Sequence, residues 1–185
     1  RSVKACAAQV VLYGDSFDEA FEKSQELATE YGYTYLHPFD DAEVIAGQGT
    51  VAVELLRQLT RPIDAVFIPV GGGGLAAGMA AYIKYVRPEI KVIAVEPEDA
   101  ACLAAAMHAK SRVVLPQVGL FADGVAVKQI GKNTFEVLKE DEDIRVREAC
   151  GWAFHRMSVN DDGCNKMVQS SIPEFMILQF ISRSE

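Results

Sequence analysis

The sequence predicts an α/β protein, a parallel sheet with helices on both faces, and three observations carry that prediction. Apolar runs of strand length alternate with stretches of helical periodicity. One run, "AVFIPV", is apolar throughout, as a parallel strand covered on both faces requires. That run leads into four consecutive glycines and then a helical pattern, the strand–turn–helix order of a right-handed βαβ unit.

Taken in order, "VVLY" (Val10 to Tyr13) reads as a short strand ended by Gly14. Ser16 and Glu19 match a capping box, in which each side chain satisfies an otherwise unpaired amide of the first helical turn. Phe17, Ala20, Phe21, Ala28 and Tyr31 follow at helical spacing, and Gly32 terminates the pattern. "YTYL" reads as a second strand. A second helix then carries Val44, Gln48, Val51, Ala52, Leu55, Leu56 and Leu59 along one face. After Ala65 to Val70 and the glycines, a helix from Leu75 to Val86 stops before Pro88. "KVIAVE" (Lys91 to Glu96) is another buried strand and "AACLAAAMHA" another helix. From about Lys139 the alternation fades, and "IPEFMILQF" is compatible with a short strand or a helical turn.

A chain of 185 residues has room for one domain, or one and part of another. Half the residues are hydrophobic and 24% are charged, which is globular composition. Eighteen basic residues against 26 acidic ones give a net charge of -8, with no basic stripe to suit a nucleic acid. No apolar stretch approaches the roughly 20 residues that span a bilayer. Those features suggest a soluble intracellular protein without membrane or nucleic-acid partners. The N-terminus "RSVKACAAQVV" has no signal-peptide pattern and reads as a chain entered partway through. Cys6, Cys102, Cys150 and Cys164 lack C-x-x-C spacing and are expected as buried or half-buried thiols of a reducing compartment. His37, His108 and His155 are scattered, as structural histidines are.

Gly71, Gly72, Gly73 and Gly74 stand where ligands of open α/β sheets bind, beyond a strand's carboxyl end and at a helix start. Unpaired amides and a partial positive charge there suit a phosphate, and glycine lets the backbone wrap it. A Walker A loop is excluded, because no Lys-Ser/Thr pair follows and Lys84 lies far down the helix. Gly71, Gly73 and Ala76 also fit the weakly specific dinucleotide fingerprint, with Glu96 about 20 residues on as the ribose-binding acid. Gly47 and Gly49, inside a helix pattern, each cost about 1 kcal/mol relative to alanine. They suggest close packing there or contact with whatever the cradle holds.

"GDSFDEA", "PFDDAEVIAGQGT", "VFIPVGGGGLAAG", "IKVIAVEPEDAACLAAA" and "VGLFADGVAVKQIGKNTFEVL", in this order from about Val3 to Leu138, resemble the biosynthetic threonine ammonia-lyases. These are fold-type II pyridoxal-phosphate enzymes with a tryptophan-synthase-β-like fold, related to serine dehydratases and serine racemase. The resemblance implies that Gly71, Gly72, Gly73, Gly74 and Leu75 hold the phosphate of pyridoxal 5'-phosphate. It places Phe121 to Val127 beside the cofactor ring, with Gly124 nearest. The implied reaction takes L-threonine, with L-serine as the alternative substrate, through loss of the α-proton and β-hydroxyl. Threonine then gives 2-oxobutanoate and ammonia, the first step of isoleucine biosynthesis. The cofactor supplies the electron sink.

The departures are equally specific. The family's Schiff-base lysine in Ser-Phe-Lys and its Ser-Gly-Asn loop do not occur in this sequence. No lysine here, Lys4 and Lys84 included, has the matching context, so no catalytic residue is assigned. Some relatives bind a cation near the segment matching "EPEDAAC", but the second carboxylate falls on Cys102, and no metal is expected. Glu96 reads instead as a solvated or helix-capping acid. The implied architecture is incomplete: residues 1–41 as the remainder of a smaller domain, 42–140 as the core of the cofactor-binding domain, and 141–185 as a divergent tail. A homo-oligomer is implied for the full-length enzyme. The alternatives are a truncated, non-catalytic homologue that binds phosphate or intact subunits, a serine dehydratase or racemase, and a nicotinamide-dependent oxidoreductase.

Overall fold

The computed structural model describes residues 8–15, 17–119 and 122–140, and the backbone of 145–149 and 180–181. The chain divides into two compact units, Arg1–Leu36 and His37–Glu185.

In the first unit the described regular element is helix α1, Phe17–Tyr31. Its start is closed by Glu19, whose carboxylate accepts the Asp15 amide at 2.8 Å. Ser16, the other half of the expected capping box, lies outside the described residues. Its end is a Schellman turn: Gly32 has φ +68° and the Tyr33 amide donates to the Ala28 carbonyl at 2.9 Å. The helix forms as expected, yet no residue on it is buried. The two strands expected in this unit do not form. Val10 to Tyr13 and Tyr33 to Leu36 are irregular, with Leu12 91% and Leu36 74% exposed. A strand is stable only when a neighbour takes its amides and carbonyls, and the described residues of this unit supply none.

The second unit is built around a sheet. Its elements are α2 (Ala42–Gln58), β1 (Ala65–Pro69), α3 (Gly74–Val86), β2 (Lys91–Pro97) and α4 (Cys102–Ala109). They are followed by α5 (Lys132–Lys139), β3 (Arg145–Ala149) and β4 (Phe180–Ile181). Strand order is β3-β2-β1-β4. The first three strands are parallel, in register Ala65↔Lys91 through Pro69↔Val95 and Ile93↔Arg145 through Pro97↔Ala149. β4 adds an antiparallel edge, Val66↔Phe180, so the "IPEFMILQF" segment contributes strand at its end.

Val66, Ile68, Val92 and Ala94 are fully buried in β1 and β2, the valine and isoleucine side chains contributing roughly 1.5–3 kcal/mol each. α3 packs on β1, on α2 and on α5, and its residues Ala76, Ala77, Met79, Ala80 and Ile83 are all buried. Between α2 and α3 the backbones touch. A Cβ on Gly49 would lie 2.9 Å from the Gly78 carbonyl oxygen. One on Gly78 would press into the Ile45 carbonyl and the Gly49 amide. Consequently the buried seam of α2 is Ile45, Gly49 and Ala52, with Val51, Leu55 and Leu56 half-buried beside it. The expected face is shifted at its start, since Gln48 is exposed. Gly49 is a packing glycine; Gly47 has nothing within 4 Å of its Cβ position.

Candidate functional site

The glycine loop joins β1 to α3. Val70 is still bound to the sheet, its amide donating to Val95 at 2.9 Å, and the first bond of the helix runs from the Ala77 amide to the Gly73 carbonyl at 2.8 Å. Gly73, the residue before the helix, has φ +92°, where a side chain would be strained. Room is lacking as well. A Cβ on Gly72 would enter the Phe39 ring, and one on Gly71 would come within 3.0 Å of Val125 Cα.

The carbonyls of Gly71, Gly72 and Gly73 each have a hydrogen-bond partner within the protein. Gly71 O accepts from the Cys102 thiol at 3.4 Å. Gly72 O accepts from the Thr134 hydroxyl at 2.8 Å and the Gly131 amide at 3.2 Å. Gly73 O takes the Ala77 amide. In a planar trans peptide the N–H of the next residue points opposite to the C=O. The amides of Gly72, Gly73 and Gly74 are therefore turned away from the groups that hold the carbonyls. Among the described residues no acceptor meets them, nor the amides of Gly71 and Leu75. Together with the partial positive charge at the start of α3, they can donate several hydrogen bonds to one anion.

The acids nearby are engaged elsewhere. Glu96 is fully buried and accepts the Leu103 amide on Oε1 at 2.8 Å and the Ala104 amide on Oε2 at 2.9 Å. It caps α4, so the helix-capping expectation holds and the solvated one does not. A buried carboxylate tied to two amides is also not free to hold a ribose, which removes the dinucleotide fingerprint's acid. Burial, then the charge of Glu96, pushes the Cys102 thiol up to about 12, so it stays protonated and donates to Gly71. Asp40 binds the start of α5: Oδ2 takes the Lys132 amide at 2.8 Å, while Oδ1 takes those of Asn133 at 2.7 Å and Thr134 at 3.2 Å. Asp40 is itself held in a turn in which His37 Nδ1 accepts the amides of Phe39 at 3.2 Å and Asp40 at 2.9 Å. That acceptor role needs a neutral ring, and burial lowers the His37 pKa.

Of the residues singled out from sequence, Gly71 to Leu75 and the segment around Gly124 come together. Gly124 sits in a 3-10 turn, Asp123–Val125, whose last residue abuts Gly71. Phe121, Lys4, Cys6, Cys150, His155 and Cys164 lie outside the described residues. Cys102 is buried as expected, and His108 is exposed on the last turn of α4. Lys84 lies well down α3 and donates to the Pro88 carbonyl. Phe39, Asp40 and Thr134 were not apparent from sequence; "PFDD" and "GKNT" read alone as loop and cap, and only the fold brings them to the glycines. Among the described residues, no group of histidine, cysteine and carboxylate side chains could hold a metal, and no helix is long and apolar enough to cross a membrane.

Residues 1–159 match the pyridoxal-phosphate dependent enzyme family. The chain is 54% identical over 132 residues to the biosynthetic L-threonine dehydratase IlvA of Burkholderia multivorans, covering 71% of this chain and 26% of that protein. It is 53% identical over 137 residues to the chloroplastic biosynthetic threonine dehydratase of Arabidopsis thaliana, covering 74% and 23%. The chain thus spans about a quarter of the length of these curated relatives. Among solved structures, the processed form of threonine deaminase isoform 2 from Solanum lycopersicum superposes with a TM-score of 0.72. Identity there is 47%, over 80% of this chain and 43% of that one. This likeness bears out the expected α/β fold of the fold-type II enzymes. On these matches, and with a parallel sheet opening into a glycine loop, the chain belongs to the pyridoxal-phosphate dependent enzymes.

Proposed function

We propose that the chain is part of a threonine ammonia-lyase, converting L-threonine, with L-serine as a second substrate, to the 2-oxo acid and ammonia, with pyridoxal 5'-phosphate as cofactor. Within it, Gly71, Gly72, Gly73, Gly74 and Leu75 hold the cofactor's phosphate. The observation that carries this reading is the loop itself: three carbonyls held by hydrogen bonds leave a run of amides that, among the described residues, meet no acceptor at the start of α3. The threonine preference rests on the relatives, which bear that name at 53–54% identity.

Pyridoxal phosphate, when bound, supplies the sink for electrons released with the substrate's α-proton. This chain's own residues contribute binding and orientation. The loop amides would donate hydrogen bonds to the phosphate, Phe39 packs against Gly72 and Gly74, and Val125, next to Gly124, packs against Gly71. The Ser-Phe-Lys motif is not among these residues, so the chain supplies the phosphate-holding part of the site. The smaller domain is assigned to residues 1–41 and the cofactor-binding core to 42–140. This boundary and the break between the compact units both fall between α1 and α2. The full enzyme is read as a soluble, intracellular homo-oligomer.

The test is to titrate pyridoxal 5'-phosphate and, separately, phosphate-free pyridoxal into the chain while following the cofactor's absorbance and calorimetry. Saturable binding of the first and much weaker binding of the second is expected. Equal binding of both, or of neither, would overturn the phosphate assignment. A longer protein containing this chain should release 2-oxobutanoate from L-threonine; release of pyruvate from L-serine alone would overturn the substrate.

A further inference from the structure

We infer that Thr134 and Asp40 are positioning residues for the anion-binding loop: the Thr134 hydroxyl orients the Gly72–Gly73 peptide, and Asp40 holds α5 where that hydroxyl can do so. The inference rests on the reading of the glycine loop given above and adds residues that lie 62 and 32 positions from Gly72 in the sequence.

Gly72 O receives two hydrogen bonds, from Thr134 Oγ1 and from the Gly131 amide, and both donors belong to the start of α5. Thr134 is fully buried, so its hydroxyl has no water to turn to. Holding this carbonyl fixes the peptide plane and with it the direction of the Gly73 N–H. The start of α5 has no cap from its own chain neighbour, since Gly131 has no side chain to offer. Asp40 takes that place from across the fold, accepting three successive amides of α5 while its own carbonyl accepts Asn133 Nδ2 at 2.9 Å. The adjacent residue, Phe39, packs against Gly72 and Gly74. One short segment therefore supports the loop directly through Phe39 and indirectly through Asp40, α5 and Thr134. Neither Asp40 nor Thr134 needs to touch the anion; both act through the loop backbone, whose amides lose reorganisation cost when fixed in advance.

The test compares inorganic phosphate affinity by calorimetry across variants of the full chain, with folding checked by circular dichroism. Thr134→Val keeps the shape and removes the hydroxyl, and should weaken phosphate about tenfold. Thr134→Ser restores the donor and should bind within about twofold of the unmodified chain. Leu138→Val, on the same helix and equally buried, loosens packing alone and should also leave affinity within about twofold. Asp40→Ala, at a half-buried site where folding survives more easily, should weaken phosphate by about threefold to tenfold. Wild-type affinity in folded Thr134→Val, or equal weakening in Leu138→Val, would overturn the inference while leaving the loop's own role standing. Should Thr134→Val not fold, Asp40→Ala with unchanged affinity would overturn it instead. An unmodified chain that binds no phosphate at all would overturn both the inference and the reading beneath it.

Discussion

α1 and α3 read alike as helices in the sequence but differ in what surrounds them. α1 has a clear cap at each end and an aromatic face, with Phe17 and Phe21 stacked at 6.1 Å and Phe21 edge-on to Tyr35 at 5.9 Å. None of it is buried. α3 has no side-chain cap at its start, yet is buried along most of its length between β1, α2 and α5. Caps and periodicity specify that a helix forms; burial depends on partners that the same stretch does not encode. The second unit thus holds its shape by packing, and the first by local hydrogen bonds and ring contacts.

Substitutions can break this contrast, and the largest effect is expected where backbones touch. Gly78→Val would drive side-chain atoms into the Ile45 carbonyl and the Gly49 amide, 2.6 Å from the Cβ position. Parting α2 from α3 should cost more than about 3 kcal/mol, so urea titration should find the second unit unfolding at a much lower denaturant concentration than in the unmodified chain. Next is Glu96→Gln. An amide has one acceptor oxygen where the carboxylate uses two, so one α4 amide loses its partner and meets a donor. A loss of roughly 1–3 kcal/mol should appear in the same titration.

A smaller effect is expected from pH. Cys102 titrates near 9.0 unfolded and at about 12 folded, so its raised value stabilises the folded chain fully below pH 9.0. That contribution is lost as pH rises from 9.0 toward 12, where the unfolded thiol ionises first. Melting temperatures measured across this window should fall less steeply for Cys102→Ala than for the unmodified chain. The smallest effect belongs to the first unit. Leu12→Ser, at a side chain 91% exposed, should change stability by less than about 0.5 kcal/mol. A large loss there would mean that the first unit is packed in solution after all.

Much of the second unit was legible because its signals are local. Val66 to Val70, the glycines and the small residues of α3 specify strand, turn and buried helix within one short window. The two strands expected around Val11 and Tyr35 failed because β-propensity cannot substitute for a neighbouring strand. The Ile45–Gly49–Ala52 seam was displaced from the hydrophobic pattern because Gly78 opposite it admits backbone rather than side chain. At the candidate site the glycine loop was visible from sequence, whereas its supports were not. Asp40 meets Asn133 from 93 residues away, and nothing in "PFDD" announces that its carboxylate closes a distant helix. Glu96 lay between the two cases: its type and place suggested a cap, but only burial with both oxygens engaged distinguishes that cap from a surface acid.

The orientation of the loop amides is tested most directly by nitrogen-15 correlation spectra of the chain during titration with pyridoxal 5'-phosphate. The amide protons of Gly72, Gly73 and Gly74 should move downfield together and saturate at a single affinity, with those of Gly71 and Leu75 following. Saturable binding that leaves these five resonances in place while others shift would contradict the account.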